Sequence, residues 1–93
     1  MKILWDDGKN RRLKSTRKVS FDDVVPIIME KRYLAVLENP SRPDQMIFLV
    51  CYKDYTYVVP FEIDAESNLV LKTVFPSRKF HRLYGAKKIE DQT

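Results

Sequence analysis

Four extended segments follow one another in the last two-thirds of the chain, and the links between them are short. The segments cover residues 33–38, 46–52, 55–63 and 69–75, and each is rich in β-branched or aromatic side chains. Residues 39–44 and 64–68 are rich in turn-forming side chains, and residues 53–54 fit a tight hairpin. Because a parallel return needs a crossover of about a dozen residues or more, the pattern predicts antiparallel pairing.

A proline interrupts the third of these segments. Pro60 has no backbone N–H to donate to a neighbouring strand, so we expect a bulge or an edge position there. The second segment, residues 46–52, is apolar at nearly every position, which is typical of a strand covered on both faces.

The first third of the chain predicts a short strand and two helices. Residues around Ile3 and Trp5 form the strand, Trp5 belonging to the core, and Asp6 or Asp7 can cap a helix over residues 8–16. Leu13 is the only strongly apolar residue of that helix, so we expect it to show water a broad basic face.

A second helix follows the first. Ser20 and Asp23 have the spacing of a capping box, which indicates a more buried helix beginning there. Pro26 lies past its first turn, where it removes one backbone hydrogen bond and can bend the helix.

The last strand ends at Pro76 and Ser77, and a short helix is predicted from there to about Tyr84, with Gly85 as its stop. The fold class is therefore α+β, in the order β-α-α-β-β-β-β-α, with an antiparallel sheet packed by helices. We expect residues 1–93 to form a single domain whose tail after about residue 85 is flexible.

This last helix is predicted to have two different faces. At about 100° per residue, Phe80, Leu83 and Tyr84 share the face that anchors it. Arg78, His81 and Arg82 share the face that meets solvent or substrate.

A net positive charge is confined to the two ends of the chain. The net formal charge is +5 over residues 1–18, −4 over residues 19–76 and +3 over residues 77–93. If the fold brings the ends together, they make one positive surface that attracts a phosphate-rich polyanion and steers its approach.

Several protein classes are excluded or disfavoured. The longest uninterrupted apolar stretch, Met46–Tyr52, is far too short to cross a bilayer, so no membrane partner is expected. No apolar signal region follows the first residues, and we expect a cytoplasmic protein. One cysteine, Cys51, and one histidine cannot make an internal disulfide or a structural zinc site, so we expect a buried reduced thiol, no metal and no cofactor.

Five segments carry a resemblance to a known family. They are Trp5-Asp6 with Lys9-Asn10, the Val-Ser-Phe-Asp-Asp run at 19–23, the Tyr-Val-Val-Pro-Phe run at 57–61, the Leu-Lys-Thr run at 71–73 and the Pro-Ser-Arg-Lys run at 76–79. Over about residues 2–84 the chain resembles the BrnT-type toxins, bacterial type II toxins within the RelE/ParE superfamily.

The resemblance implies a compact antiparallel sheet packed by helices and metal-independent cleavage of messenger RNA. It also implies growth arrest and neutralisation by a cognate antitoxin that binds operator DNA.

Two places in this sequence depart from the family pattern. Arg17 and Lys18 stand where the family has Lys-His-Gly, and Phe80 and His81 stand where a small residue and a threonine are common.

Metal-free RNA cleavage needs a base for the 2′-hydroxyl, cations for the phosphate and an acid for the departing 5′-oxygen. The predicted catalytic residues are His81 for proton transfer, Arg78 and Lys79 for the phosphate, and Tyr84 as a hydrogen-bond donor. The predicted RNA-binding residues are Lys9, Arg12, Arg17 and Arg82. This hypothesis requires Lys9 and Arg78 to line a common groove.

Other interpretations stay open. His81 can be an ordinary solvated side chain, Tyr84 can simply pack, and the charges of the first helix can serve solubility. The chain can also be a binding protein without chemistry, as a DNA gyrase inhibitor or an antitoxin-bound co-repressor. A non-toxic RNA-binding module is a third possibility.

Overall fold

A long hairpin is the centre of the sheet in the computed structural model, which describes residues 1–85. In chain order the elements are β1 (Ile3–Leu4), α1 (Asp7–Thr16), α2 (Phe21–Met29), β2 (Ala35–Glu38), β3 (Met46–Tyr52), β4 (Tyr55–Ile63), β5 (Leu69–Leu71), β6 (Phe75–Pro76), α3 (Arg78–Phe80) and a π turn (His81–Gly85). The strand order is β1-β5-β4-β3-β2, with β6 also pairing with β4. The predicted α+β class is confirmed, and the elements follow in the predicted order except that the last predicted strand is divided into β5 and β6. The predicted tail lies outside the described residues.

The hairpin between β3 and β4 turns at two residues, as predicted. Lys53 and Asp54 both have positive φ, 51° and 61°, which matches the right-handed twist of the flanking strands. The β2–β3, β3–β4 and β4–β5 pairs are antiparallel, whereas β1 lies parallel to β5 with Ile3 opposite Leu69. The parallel pair is possible because two helices and three strands separate its members in the chain.

The predicted last strand is divided by a bulge opposite Pro60. Phe61 lies opposite Leu71 and Val58 lies opposite Phe75, so three residues, 72–74, face only two on β4. The Pro60 carbonyl accepts from the Lys72 backbone N–H at 2.8 Å. The nitrogen of Pro60 points to the same side of the strand and has no hydrogen to donate, so the regular ladder cannot continue there. The bulge prediction is confirmed, and the strand count rises by one.

Both long helices begin at the predicted caps. The Lys9 backbone N–H donates to Asp6 Oδ2 at 2.7 Å, and the Ser20 N–H donates to Asp23 Oδ2 at 2.8 Å. The second helix continues through Pro26 to Met29. Leu13 is only 4% exposed while the cations around it face water, which agrees with the predicted basic face.

The two sides of the sheet are covered unequally. The larger side carries a core between the two long helices and the central strands, formed by Leu13, Val19, Phe21, Val24, Ile27, Ile28, Phe48, Val50, Val59, Phe61, Leu71 and Val74. Trp5 packs on its margin, 6.1 Å from the Phe21 ring between centroids. On the other side Phe75, Phe80 and Tyr84 pack on a smaller cluster of Ile47, Leu49 and Val58.

The structure corrects three expectations. The first strand after the helices begins at Ala35 instead of Tyr33, whose ring packs 5.0 Å from that of Phe48. Cys51 is half-buried, since it lies next to the end of the β3–β4 hairpin where coverage ends. Leu83 is 58% exposed because the last helix is a π turn, whose wider turn changes which side chains share a face.

None of the helices described over residues 1–85 is long and apolar enough to span a membrane.

A buried asparagine joins the two long helices. Asn10 Oδ1 accepts from the Phe21 backbone N–H at 2.9 Å, and its Nδ2 donates to Asp22 Oδ2 at 3.1 Å. The Lys14 ammonium is 2.8 Å from the same Asp22 oxygen and lowers the pKa of that carboxyl, with the Asn10 amide adding to the effect. A side chain of the first helix therefore satisfies a free N–H at the start of the second.

We expect Asn10→Ala to lower the free energy of unfolding by roughly 1–3 kcal/mol, because it leaves the buried Phe21 N–H without an acceptor. Urea unfolding of the full chain measures this. The exposed neighbour Arg11 provides a control, and Arg11→Ala should leave stability nearly unchanged. Equal stability of the two variants would contradict the capping role.

Candidate functional site

A groove opens where the bulged strand, the first helix and the loop between β2 and β3 meet. It has a volume of about 390 Å³ and is lined by Lys9, Asn39, Ser41, Arg42, Gln45, Pro60, Lys72, Thr73 and Phe75. A second cavity of about 570 Å³ adjoins it, lined by Thr16, Arg17, Thr73, Phe75 and Pro76. Because Thr73 and Phe75 line both, we treat the two as one surface and call it the basic groove.

The first helix contributes one wall of the basic groove through its periodicity. Lys9, Leu13 and Arg17 are spaced four residues apart and therefore lie on one side, with Thr16 beside them. Leu13 anchors this side in the core, and the two cations flank it. The Arg17 guanidinium donates to the Val74 carbonyl at 3.3 Å, which holds it beside the bulge.

The bulge contributes the opposite wall. The extra residue in the 72–74 segment lets Lys72 and Thr73 both line the basic groove, while Leu71 and Val74 both face the core. Bulges commonly reorient side chains next to functional sites in this way. Arg42 enters from the loop, where the Asn39 carbonyl accepts from the Arg42 N–H and the Arg42 carbonyl accepts from the Gln45 N–H.

A carboxylate sits beside the groove within a small polar network. Glu62 Oε2 lies 3.3 Å from the Lys72 ammonium and accepts from Gln45 Nε2, also at 3.3 Å. Asn39 Nδ2 in turn donates to Gln45 Oε1 at 3.3 Å. Both members of the ion pair are partly exposed, with side-chain exposures of 42% for Lys72 and 36% for Glu62, so the pair adds little to stability.

The four predicted RNA-binding residues divide into two pairs. Lys9 and Arg17 line the basic groove together. Arg12 and Arg82 are exposed and do not line it.

Two predicted catalytic cations follow the last groove residue closely in the chain. Arg78 and Lys79 are exposed at the start of the third helix, two and three residues after Pro76, which lines the groove. Ser77 Oγ caps this start by accepting from the Phe80 N–H at 3.2 Å. The Lys79 ammonium lies 5.9 Å from the Phe80 ring centroid. Neither cation is among the lining residues, so the expectation that Lys9 and Arg78 line a common groove is wrong.

The structure holds His81 against the sheet, which corrects the expectation that it faces solvent or substrate. Its Nδ1 is within hydrogen-bond distance of the fully buried Thr56 Oγ1, at 3.1 Å, and its ring stacks on Tyr55 at 4.4 Å between centroids. A Cβ at Gly85 would lie only 2.8 Å from the same Nδ1. The π turn brings Gly85 onto the His81 ring, and sequence periodicity gave no signal for it.

Tyr84 lies on the anchoring face, as its periodicity predicts. Its ring is 6.1 Å from that of Phe80, and both pack on Ile47, Leu49 and Val58. Its predicted catalytic role stays a prediction, as do those of Arg78, Lys79 and His81.

The sequence interpretation missed several groove residues. Arg42, Lys72, Thr16, Thr73 and Phe75 line the groove and were not selected. For Lys72 and Thr73 a signal existed, because Pro60 predicts a bulge in the partner strand. For Arg42 none did, since its position depends on contacts between distant segments.

A separate apolar cleft of about 670 Å³ lies between the first strand and the second helix. Trp5, Val25, Ile28, Met29 and Tyr33 are among its lining residues, and it shares none with the basic groove. Within residues 1–85 no three His, Cys, Asp or Glu side chains are grouped so as to hold a metal ion.

We expect Thr56 and His81 to be coupled in stability. Thr56→Val removes the hydrogen bond to His81 and should lower the free energy of unfolding by about 0.5–1.5 kcal/mol. A double-mutant cycle with His81→Ala, followed by urea unfolding, measures the coupling. Strictly additive effects of the two substitutions would contradict a structural role for this contact.

Neither a model of a known protein family nor a curated protein sequence matches the chain. A solved structure is similar in fold to this chain. The crystal structure of the Brucella abortus ribonuclease toxin BrnT aligns with a TM-score of 0.63, covering 83% of this chain and 96% of that one at 18% identity. The chain thus shares the α+β fold of that toxin.

Proposed function

We propose that this chain is the toxin of a type II toxin-antitoxin system. In this proposal it binds the phosphate backbone of messenger RNA in the basic groove and cleaves the RNA without a metal ion. The proposal joins the chemistry of the groove to the fold shared with BrnT, a ribonuclease toxin.

One observation supports it most strongly. Lys9 and Arg17 from the first helix, Arg42 from the loop and Lys72 from the bulge converge on one groove, and the described residues that line it include no carboxylate. Converging cations attract and orient a polyanion, and an arginine can grip a phosphate through two parallel hydrogen bonds. Half-buried Phe75, which lines both parts of the groove, offers an aromatic surface on which a base can stack.

The side chains of the groove suit cleavage without a metal ion. Mg²⁺ is usually held by carboxylates together with substrate phosphates, whereas amide, hydroxyl and cationic side chains line this groove. Glu62 is the carboxylate beside it, and the adjacent Lys72 ammonium disfavours a second positive charge there. Charge on the phosphate would instead be stabilised by Lys9, Arg42 and Lys72.

A non-catalytic binding protein is the second candidate, and a specific observation favours it. The groove is lined by neither histidine nor tyrosine among the described residues, and His81 and Tyr84 make contacts elsewhere. Such a protein would act by blocking DNA gyrase or as an antitoxin-bound co-repressor.

We expect purified protein to bind and cleave single-stranded RNA in EDTA. Lys9→Ala and Arg42→Ala should weaken binding, and each should lower the slope of log affinity against log salt by about 0.7 if it removes one phosphate contact. Arg11→Ala removes an exposed cation of the same helix outside the groove and is the matched control. Fluorescence anisotropy measures binding, and gel electrophoresis measures cleavage.

Four results would count against this proposal or a part of it. Intact RNA with wild type would remove the nuclease, and cleavage only with added metal would remove the metal-free mechanism. Inhibition of gyrase supercoiling without RNA loss would favour the second candidate. Unchanged cleavage by Arg78→Ala and His81→Ala would contradict the catalytic roles predicted for those residues.

We also expect an acidic segment of a cognate antitoxin to cover the basic groove together with Arg78 and Lys79. Co-expression with the product of the adjacent gene should yield a complex that relieves growth arrest. Calorimetry should show weaker binding for Arg78→Ala, Lys79→Ala and Lys9→Ala than for Arg11→Ala. A lone chain that accumulates without harming its host would contradict this expectation.

A further inference from the structure

The basic groove contains no lining side chain that readily accepts a proton near neutral pH. Its lining residues are lysines, arginines, amides, hydroxyls, a phenylalanine and prolines, as far as residues 1–85 are concerned. Glu62 is the carboxylate bonded to two of them, Lys72 and Gln45. We propose that Glu62 is the general base that removes the proton of the attacking 2′-hydroxyl, an inference that rests on the proposed RNA cleavage.

Strand alternation puts Glu62 on the face of β4 that borders the groove. Pro60 and Glu62 are two residues apart on β4 and therefore project from the same face, roughly 7 Å apart along the strand. Pro60 lines the groove. The bulge begins directly after Leu71, which lies opposite Phe61, and this places Lys72 beside Glu62.

The hydrogen bonds of Glu62 leave one oxygen available. Both the Lys72 and the Gln45 contacts fall on Oε2, and Oε1 has no hydrogen-bond partner among residues 1–85. Oε2 is thus held in place by two donors while Oε1 can accept from a substrate hydroxyl. An orienting contact of this kind is what a general base requires.

The contact with Lys72 has little value as a stabilising ion pair, since both side chains are substantially exposed. In the proposed reaction, the contact with Lys72 has a different role. The ammonium holds the Glu62 carboxylate in place, and it lines the groove where it can also attract the phosphate.

The proposed reaction needs no reactant other than RNA and water. Glu62 Oε1 takes the proton of the 2′-hydroxyl, and the 2′-oxygen forms a bond to phosphorus. The bond from phosphorus to the 5′-oxygen breaks, and that oxygen takes a proton from water. The hydroxide left behind takes the proton from Glu62, which restores the carboxylate. The products are a 2′,3′-cyclic phosphate and a 5′-hydroxyl, while Lys9, Arg42 and Lys72 stabilise the negative charge on the phosphate.

Glu62→Gln tests the inference, because glutamine keeps the shape and the acceptor for Lys72 but cannot take the proton. The full chain with single-stranded RNA in EDTA, under single-turnover conditions, should lose roughly 10²- to 10⁴-fold in cleavage rate. Affinity for the same RNA should be retained or increase slightly, since one negative charge is removed. The wild-type rate should fall toward acid pH, and Glu62→Gln should lack this acidic limb.

Glu66→Gln is the matched control, because Glu66 is an exposed carboxylate in the β4–β5 turn, away from the groove. It should cleave at the wild-type rate. Urea unfolding establishes that Glu62→Gln is folded, and Glu62→Asp, which keeps a carboxylate, should retain part of the activity and the acidic limb.

The possible outcomes distinguish a failure of the role proposed for Glu62 from a failure of the proposed RNA cleavage. Wild-type cleavage with Glu62→Gln within about threefold of it would overturn the role of Glu62 and leave the nuclease intact. An acidic limb that persists in Glu62→Gln and vanishes in His81→Ala would assign the base to His81 instead. Absence of cleavage by wild type would overturn both proposals.

Discussion

Pro60 has no backbone N–H, and this absence determines the shape of the basic groove. Pro60 accepts from the Lys72 N–H but has no N–H to return, so the neighbouring strand cannot pair regularly and takes an extra residue. The resulting bulge splits that strand in two and reorients Lys72 and Thr73 into the groove. Without it the alternation of a regular strand would direct these two side chains to opposite faces.

The basic groove is a composite of segments that lie far apart in the chain. The first helix, the loop before β3 and the bulge each contribute one wall, and each is held by contacts of a different kind. Leu13 is buried in the core, Asn39 and Gln45 close the loop by hydrogen bonds, and the Pro60 carbonyl holds the bulge. Because each cation belongs to a segment that is held separately, Lys9, Arg42 and Lys72 can lie around one groove although their charges repel one another.

Local rules made most of the fold predictable. The caps at Asp6 and Ser20, the two-residue hairpin and the bulge at Pro60 each depend on a few neighbouring residues, and all were expected from sequence. Lys9 and Arg17 were expected to bind RNA and both line the groove, whereas Arg78 was expected to line a groove with Lys9 and does not. Arg42 was not expected, because its position follows from the packing of segments separated by dozens of residues.

The last helix shows where periodicity fails. Phe80 and Tyr84 anchor it as an α-helical pattern predicts, but Leu83 is exposed and His81 turns to the sheet. A π turn has more residues per turn than an α-helix, and sequence gave no sign of it. His81 therefore contacts the Thr56 hydroxyl and the Tyr55 ring, and neither contact was predicted from the sequence.

The parallel pairing of the first and fifth strands affects when this molecule can be completed during synthesis. Ile3 lies opposite Leu69, so the amino-terminal strand has no neighbour until most of the chain has left the ribosome. The helix that carries Lys9 follows that strand directly, and the bulge that carries Lys72 directly follows the strand opposite it. A nascent or truncated chain that ends before this point therefore contains α1 but cannot contain the groove.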